Sequence, residues 1–247
     1  MSNDSRSLTV HLLPALAEPA VPVGSVAVVI DILRASTTIV HALAHGAKQV
    51  LPCLTVDDAQ KLAAAQPERP LLGGERHGQL IPGFDLDNSP LKYTPEAVRD
   101  RTVVFTTTNG TKALEACRAA DEVLIGAFVN RAALAARLRS EPRPIHLMCA
   151  GTDGMLTAED ILFAGSIAAE LVEATDSLDL QPQMAIDFAG VHLRSPEEFR
   201  RTMFESRGGR NLVALNCEAD IERAMTLDLF DLVPVWTAAT GAIRATA

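Results

Sequence analysis

The chain has 247 residues, 48% of them hydrophobic but only 4% aromatic, with 22 basic against 31 acidic side chains and a formal net charge of −9. That balance excludes non-specific binding to nucleic acid or to anionic membranes, both of which need basic surface. No charge-free apolar run reaches the roughly 18 residues of a membrane span. The opening MSNDSRSLTVHLLP has neither an apolar signal core nor a small-residue cleavage site. A cytoplasmic protein without membrane or nucleic-acid partners is expected. Four scattered cysteines (Cys53, Cys117, Cys149, Cys217) lack CxxC spacing and make no disulfide framework. Cys149, inside an apolar run, reads as core rather than nucleophile. With few aromatics, the core must be built from Ala, Val, Leu and Ile, which suits helices packed on a buried sheet. At roughly 100–200 residues per domain, a single α/β domain over 1–247 is expected. A division near 140–150 into two intimate α/β halves is the alternative.

Residues 8–13 alternate enough for a first strand, placed at a sheet edge and ended by Pro14. Residues 26–30 are a continuous apolar run leading into Asp31, the pattern of a strand buried on both faces. Arg34 and a run of Ser and Thr follow, and 36–46 reads as a helix stopped by Gly46. A strand over 49–53 precedes a helix over 56–66, opened by Asp57 and Asp58. After Leu71 and Leu72 comes GGERHGQLIPGFDLDNSP (73–90), whose four glycines and two prolines in eighteen residues exclude a helix. A long irregular segment inside a compact domain is usually functional. Glu75, Arg76, Asp85, Asp87 and Asn88 make it a second polar cluster beside Asp31 and Arg34.

A buried strand over 101–105 runs into the Thr, Asn and Gly turn 106–111 and a helix over 112–119. The next strand, 122–125, is followed by Gly126, Asn130 and a helix to Arg139. A strand over 144–149 leads through the glycine turn 150–154 to a helix over 157–174, with Glu159 and Asp160 in its first turn. From Gln183 the pattern is mainly helical. Pro196 behind Ser195 opens a helix to Glu205, 206–211 reads as a basic glycine-rich loop, and 218–230 as a helix. The apolar stretch 232–235 closes the pattern before Trp236. Strands alternating with helices mean βαβ units. The expected fold is a three-layer α/β/α arrangement with a mostly parallel or mixed sheet. Polar strand-to-helix turns form the site at one sheet edge, where open α/β sheets bind ligands.

The usual phosphate signatures fail: there is no GxGxxG, and Asn109-Gly110-Thr111-Lys112 only brushes GxxxxGK[ST]. Asp85-Leu86-Asp87 has the spacing of the haloacid dehalogenase nucleophile, but it lies in a Pro/Gly loop instead of at a strand end. His41 and His45 have helical spacing without an acidic residue between them, so they read as satisfied or exposed histidines, not zinc ligands. Singly, Asp31 reads equally as an N-cap, the 106–111 turn as capping chemistry, and Glu159 and Asp160 as charges complementing a helix dipole. Asp153 between two glycines is ordinary turn material. Together, these carboxylates, arginines and Thr/Asn/Gly turns point to magnesium and phosphate. Magnesium is held by one or two carboxylates, water and substrate phosphate, and the Cys/His set of a zinc site is missing.

Five separated stretches then carry a resemblance across most of the chain. They are VVIDILRASTTIV (28–40), LLGGERHGQLIPGFDLDNSP (71–90), TTTNGTKAL (106–114), CAGTDGMLTAEDILFAG (149–165), and a closing stretch with Gly208-Gly209-Arg210-Asn211-Leu212, Asp220-Ile221 and Val233-Pro234-Val235. In that order they resemble the 2-phosphosulfolactate phosphatases. The resemblance implies a magnesium-dependent hydrolase that converts 2-phospho-3-sulfolactate to 3-sulfolactate and phosphate, a step on the route towards coenzyme M or sulfolactate. Asp87 departs from the pattern, which would have glycine there, and adds a charge beside Asn88.

On that reading Asp31, Arg34 and Glu75 are the catalytic candidates. Arg34, Arg76 and Arg210 bind the substrate's anionic groups through bidentate contacts. Asn88, Thr107, Thr108, Asn109 and the N–H groups of Gly110 and Thr111 are the other substrate-binding candidates. Candidate Mg2+ ligands or bases are Asp31, Glu75, Asp85, Asp153, Glu159 and Asp160. Whether Asp31 attacks phosphorus or orients water and metal stays open at this point. The alternatives are a phosphatase of another small 2-phosphorylated carboxylic acid, such as phospholactate, and a non-catalytic anion-binding module. An anion binder gains nothing from so many carboxylates. A homodimer is the expectation for an enzyme of this size.

Overall fold

The computed structural model describes residues 7–17, 21–172 and 178–245. Its centre is strand β2, Val26–Ile30, which follows β1, Leu8–His11, in the chain. Every residue of β2 is buried. A strand with alternate side chains on opposite faces can be buried throughout only if both faces are covered. Helices therefore lie on both sides of the sheet, in the α/β/α layering that the alternating pattern predicts. Helix α1 (Ala35–Ala44), strand β3 (Gln49–Cys53) and helix α2 (Val56–Ala64) come next. Thr55 caps α2 by accepting the Asp58 N–H at 3.0 Å, so Asp57 and Asp58 sit in the first turn and do not themselves begin the helix.

The irregular segment is more ordered than its composition predicts. Leu71–Arg76 is strand β4 and Gln79–Leu80 is β5, an antiparallel hairpin turning at His77 and Gly78. Gly74 lies at φ +132°, and a Cβ there would sit 2.0 Å from the Thr106 carbonyl oxygen, so glycine lets the strand run there. The short helix α3 (Pro95–Val98) precedes β6 (Thr102–Thr106) and α4 (Asn109–Ala116). Then come β7 (Glu122–Gly126), α5 (Arg131–Arg139), β8 (Ile145–Cys149) and α6 (Ala158–Leu171). The expected end of α6 at Ala174 lies outside the described residues. Helices α7 (Leu180–His192), α8 (Pro196–Glu205), α9 (Arg207–Ala214) and α10 (Glu218–Ala224) follow.

Two sequence expectations are corrected here. The glycine-rich stretch 206–211 is not a loop but the start of α9. Ser206 accepts the Gly209 N–H at 2.9 Å as its N-cap, which offsets the poor helix propensity of two glycines. The helix expected over 218–230 stops at Ala224, and Asp228 adopts a positive φ of 53°. Beyond it, the apolar close of the chain is strand β9 (Pro234–Thr237), which turns back as β10 (Ala242–Ala245). Short strands with few apolar residues give weak periodic signals, and β10 carried none.

That final hairpin organises the sheet. The strand order is β1-β8-β2-β7-β9-β10-β3-β6-β4-β5. Strands β1, β8, β2 and β7 form one parallel block, and β3, β6 and β4 another. Between them every step is antiparallel: β7 to β9, β9 to β10, and β10 to β3. Three reversals make the two blocks run in opposite senses. Strand β8, which lies within residues 140–150, pairs with β1 and β2 from the start of the chain. No described helix is long and apolar enough to cross a membrane.

Candidate active site

The carboxyl ends of both blocks meet at one cavity of about 430 Å³. In a flat sheet, β2 and β6 would lie five strand spacings apart, about 24 Å at ~4.8 Å each, with their carboxyl ends on opposite edges. Yet Asp31, just past β2, and Thr107, Thr108 and Asn109, just past β6, line the same cavity. The two sets of ends therefore converge in space although the strand order separates them. A Cβ placed on Gly110 would lie only 3.0 Å from Asp31 Oδ2, which measures how closely α4 and Asp31 approach.

Asp31 is 7% exposed. Its Oδ1 accepts the Ala35 N–H at 3.2 Å at the start of α1, and its own N–H donates to Ser36 Oγ at 3.0 Å. It thus does the work of an N-cap and lines the cavity as well. Burial pushes its carboxyl up to about 7; Glu75 and Glu159 push the same way, against the favourable N–H groups of Ala35 and Gly110.

Arg34 and Glu75 also line the cavity. Arg34 Nη1 donates to Asp220 at 2.6 Å and Nη2 to the Gly78 carbonyl at 2.9 Å. Glu75 accepts the Gly78 N–H at 2.7 Å, so the turn of the β4–β5 hairpin is gripped at both its N–H and its C=O. Arg76 faces the cavity while its guanidinium ties the carbonyls of Glu75 and Leu54 and the Thr106 hydroxyl at 2.7–3.0 Å. Asn88 lines the cavity too; its Oδ1 is buried without a hydrogen-bond partner. Asp87, the departure noted above, accepts the Ser89 N–H at 3.0 Å and Lys92 Nζ at 2.6 Å. Its carboxylate closes a local turn, and it is not among the residues lining the cavity.

The remaining candidates divide. Asp153 lines the cavity, but its side chain is 63% exposed and lies 3.4 Å from Arg207. Glu159 and Asp160 are buried behind Asp31 at the start of α6. Asp160 is committed to the N–H groups of Ile32 (2.8 Å) and Gly151 (3.0 Å). Burial, reinforced by Glu159 and Asp31, still raises its carboxyl well above the ordinary range. Glu159 pairs with the Thr157 hydroxyl through one oxygen, while the other, Oε1, has no hydrogen-bond partner. The Ser206 hydroxyl and the Gly208 N–H nearby fall short of hydrogen-bond geometry to it, though both ease the negative charge. Burial raises Glu159 as well. Gly110 and Thr111 stand behind the cavity, against Asp31 and the Cys53 carbonyl.

Two candidates are not brought to the cavity. Asp85 is bound by Arg69 at 2.7 Å and by the Leu72 N–H at 2.9 Å, which together hold its carboxyl below its ordinary value despite partial burial. Arg210 is exposed and lines a separate surface groove with Arg201, Arg207 and His192. Helical geometry explains this: once 207–214 is a helix, Asn211 and Leu212 face the cavity and Arg210 points away. The reading from sequence missed Asn211, Leu215, Thr152 and His77, which also line it. For His77 the only signal was its place between Arg76 and Gly78; for Asn211 there was the resemblance stretch alone.

Comparison with known proteins agrees across nearly the whole length. The profile of the 2-phosphosulpholactate phosphatase family matches residues 12–239. The chain is 41% identical over 212 residues to a probable 2-phosphosulfolactate phosphatase of Caldanaerobacter subterraneus subsp. tengcongensis, covering 84% of this chain and 86% of that protein. It is 39% identical over 222 residues to one of Symbiobacterium thermophilum, covering 87% and 92%. A third, from Thermotoga maritima, is 40% identical over 208 residues, covering 84% and 87%. The chain whose two strand blocks converge on Asp31 belongs to the 2-phosphosulpholactate phosphatase family.

Proposed function

We propose that this protein hydrolyses the phosphate monoester of 2-phospho-3-sulfolactate, giving 3-sulfolactate and phosphate, with magnesium as its cofactor, as a step on the route towards coenzyme M or sulfolactate. The observation that carries this reading is one cavity holding a buried carboxylate, two guanidiniums and a helix N-terminus. Asp31, Arg34, Arg76 and the residues opening α4 all line it. The substrate has a phosphate, a sulfonate and a carboxylate on three carbons. Guanidinium forks suit such groups, because their planar donors match paired oxygens.

The charge balance supports a cation. Asp31, Glu75 and Asp153 line the cavity against Arg34 and Arg76, and Glu159 and Asp160 lie behind. Arg34 is already matched by Asp220. A multiply charged anion entering such a site would be repelled unless positive charge came with it. Two orphaned oxygens, Glu159 Oε1 and Asn88 Oδ1, fit a hard, oxygen-seeking ion. Among the described residues no set of three or more His, Cys, Asp or Glu is placed to hold a metal, but magnesium asks only for one or two carboxylates with water and phosphate. Asp31 and Glu159 are the residues that would hold it. When bound, magnesium supplies Lewis-acid stabilisation of the phosphoryl oxygens.

The protein's own groups supply position and proton transfer. Arg34, Arg76 and the α4 N-terminus hold the anionic groups so that the phosphorus faces Asp31. Phosphate-monoester hydrolysis needs up to ~10²¹-fold acceleration, of which general acid–base help gives roughly 10²–10⁴. Electrostatic stabilisation of the phosphoryl group must carry most of it. The ester P–O bond breaks, water provides the new oxygen on phosphorus, and one of its protons ends on the sulfolactate hydroxyl. Asp31 either takes the proton from attacking water or attacks phosphorus itself. A single displacement inverts chiral phosphate, and two retain it.

The test is phosphate release from 2-phosphosulfolactate, phospholactate and a generic aryl phosphate, each with magnesium and then with EDTA. Magnesium-dependent release, fastest from 2-phosphosulfolactate, is expected. No release from any of the three would end the enzyme reading. Release from the aryl phosphate alone would end the substrate assignment, and undiminished release in EDTA the metal.

A further inference from the structure

Arg34 is held at both terminal nitrogens of its guanidinium. Its Nη1 donates to Asp220 Oδ2 at 2.6 Å, across 186 residues of sequence, and both side chains are almost fully buried, 3% and 4% exposed. The other Asp220 oxygen accepts the Ser89 hydroxyl at 2.6 Å. Arg34 Nη2 donates to the Gly78 carbonyl at 2.9 Å. The guanidinium is thus anchored at both terminal nitrogens while it lines the phosphate-binding cavity. Of its five N–H donors, those not committed to Asp220 and Gly78 are left for a ligand.

We infer that Asp220 is a positioning residue: its carboxylate, braced by Ser89, sets the plane of the Arg34 guanidinium and withholds it from the cavity's own carboxylates. This rests on the phosphatase reading above. Two physical arguments support it. A buried ion pair is on balance a poor stabiliser, and hydrophobic replacements of similar volume are often neutral or better; stability alone gives no reason for one at a cavity wall. Secondly, Asp31 and Glu75 line the same cavity and compete for a free guanidinium. An Arg34 that closed onto either would bind no phosphate and would cover the reacting carboxylate. Asp220 comes from α10 and Ser89 from the segment after the β4–β5 hairpin, so neither belongs to the strand ends that build the cavity. Asp220 acts only through Arg34 and is not among the residues lining the cavity.

The experiment uses the full chain with magnesium. Asp220→Asn keeps the shape and one acceptor but loses the charge. It is expected to lower kcat/KM for 2-phosphosulfolactate by about 10²-fold, the scale of a misplaced reacting group. Ser89→Ala removes only the brace and is expected to give a smaller loss in the same direction, which keeps the test intact should Asp220→Asn fold poorly. The decisive readout is chemical rescue. Methylguanidinium at millimolar concentration should restore part of the activity of Arg34→Ala, and none in Arg34→Ala/Asp220→Asn, where nothing holds the ion. A merely structural Asp220 would give equal rescue in both backgrounds and would overturn the proposal, as would Asp220→Asn or Ser89→Ala keeping wild-type kcat/KM. Should wild type release no phosphate, the phosphatase reading fails separately. The positioning role is then judged by calorimetric affinity for inorganic phosphate: about tenfold weaker binding in Asp220→Asn sustains it, and unchanged binding overturns it.

Discussion

At the scale of single residues, Asp31 is where capping and chemistry coincide. The same carboxylate that accepts the Ala35 N–H faces the cavity, and burial raises its pKa to about 7. Its ordinary value is near 3.8, so between those limits the unfolded chain has lost a proton that the folded chain keeps. Folding stability contributed by this group therefore falls as pH rises from about 4 to about 7. Asp31→Asn should abolish magnesium-dependent phosphate release while raising stability at pH 7.5, in the absence of metal, by on the order of 2 kcal/mol. Urea denaturation alongside a phosphate assay checks both; a variant that loses stability at pH 7.5 would refute the burial argument. Asp31 and Arg34 were legible in the sequence because a strand end and a helix start are local events. The opposite fates of Arg210 and Asn211, one turned away and one turned in, were not. They depend on the phase of α9, which the two glycines disguised as a loop.

At the scale of elements, those glycines explain themselves once α9 is seen beside α6. A Cβ on Gly208 would stand 2.1 Å from Glu159 Oε1, and one on Gly209 would stand 2.0 Å from the Met203 carbonyl oxygen. Both positions need glycine for close approach, not for flexibility. Gly208→Ala must displace Glu159 or the start of α9. It should cost about 1–3 kcal/mol in a urea titration and lower phosphate release more than the loss of folded protein accounts for. Full activity in the folded fraction would mean that Glu159 tolerates displacement and is no part of the site. The β4–β5 hairpin teaches the same lesson. Its glycines argued against a helix, correctly, but periodicity had nothing to say about a strand whose Gly73 and Gly74 carry no side chain. Its pairing with β6 over Leu71–Gly74 and with β5 at Glu75 and Arg76 makes it a strand.

At the scale of the whole molecule, two buried histidines that do not line the cavity make stability sensitive to acid. His11 stacks on His146 with its Nε2 3.0 Å from the partner's Nδ1, and burial first, then His146, lowers its pKa to about 4. His41 is 2% exposed, edge-on to Phe230, with both ring nitrogens unpartnered. Burial, then Arg223 and His45, lowers its pKa to about 3. It is neither the satisfied nor the exposed histidine that its spacing suggested. Both imidazoles are depressed below their ordinary 6.5, so the unfolded chain binds protons first. Their contribution is intact above about pH 6.5 and drains away as pH falls towards 4, opposite in sign to that of Asp31. His41→Leu, similar in volume and with no nitrogen to satisfy, should leave stability at pH 7 unchanged or raised. It should also remove about 2 kcal/mol of the loss between pH 7 and pH 4.5. Denaturation curves at the two pH values check this; an undiminished acid loss would show that His41 is not the source.

The amino-acid sequence by itself determined the elements and the chemistry. Apolar runs ending in Asp31, Thr106 and Cys149 specified strands, and the polar turns after them supplied residues that line the cavity. These are properties of short stretches, in which side-chain pattern and backbone preference act over a few residues. The tertiary structure alone decided which ends meet. The β9–β10 hairpin lies at the far end of the chain, yet it reverses the sense of one strand block relative to the other and brings β2 and β6 to one cavity. Tertiary packing also brought Asp220 to Arg34 and left Asp85 with Arg69. Such pairings depend on burial summed over the whole core and on backbone groups finding partners in distant strands. No window of local pattern contains that information.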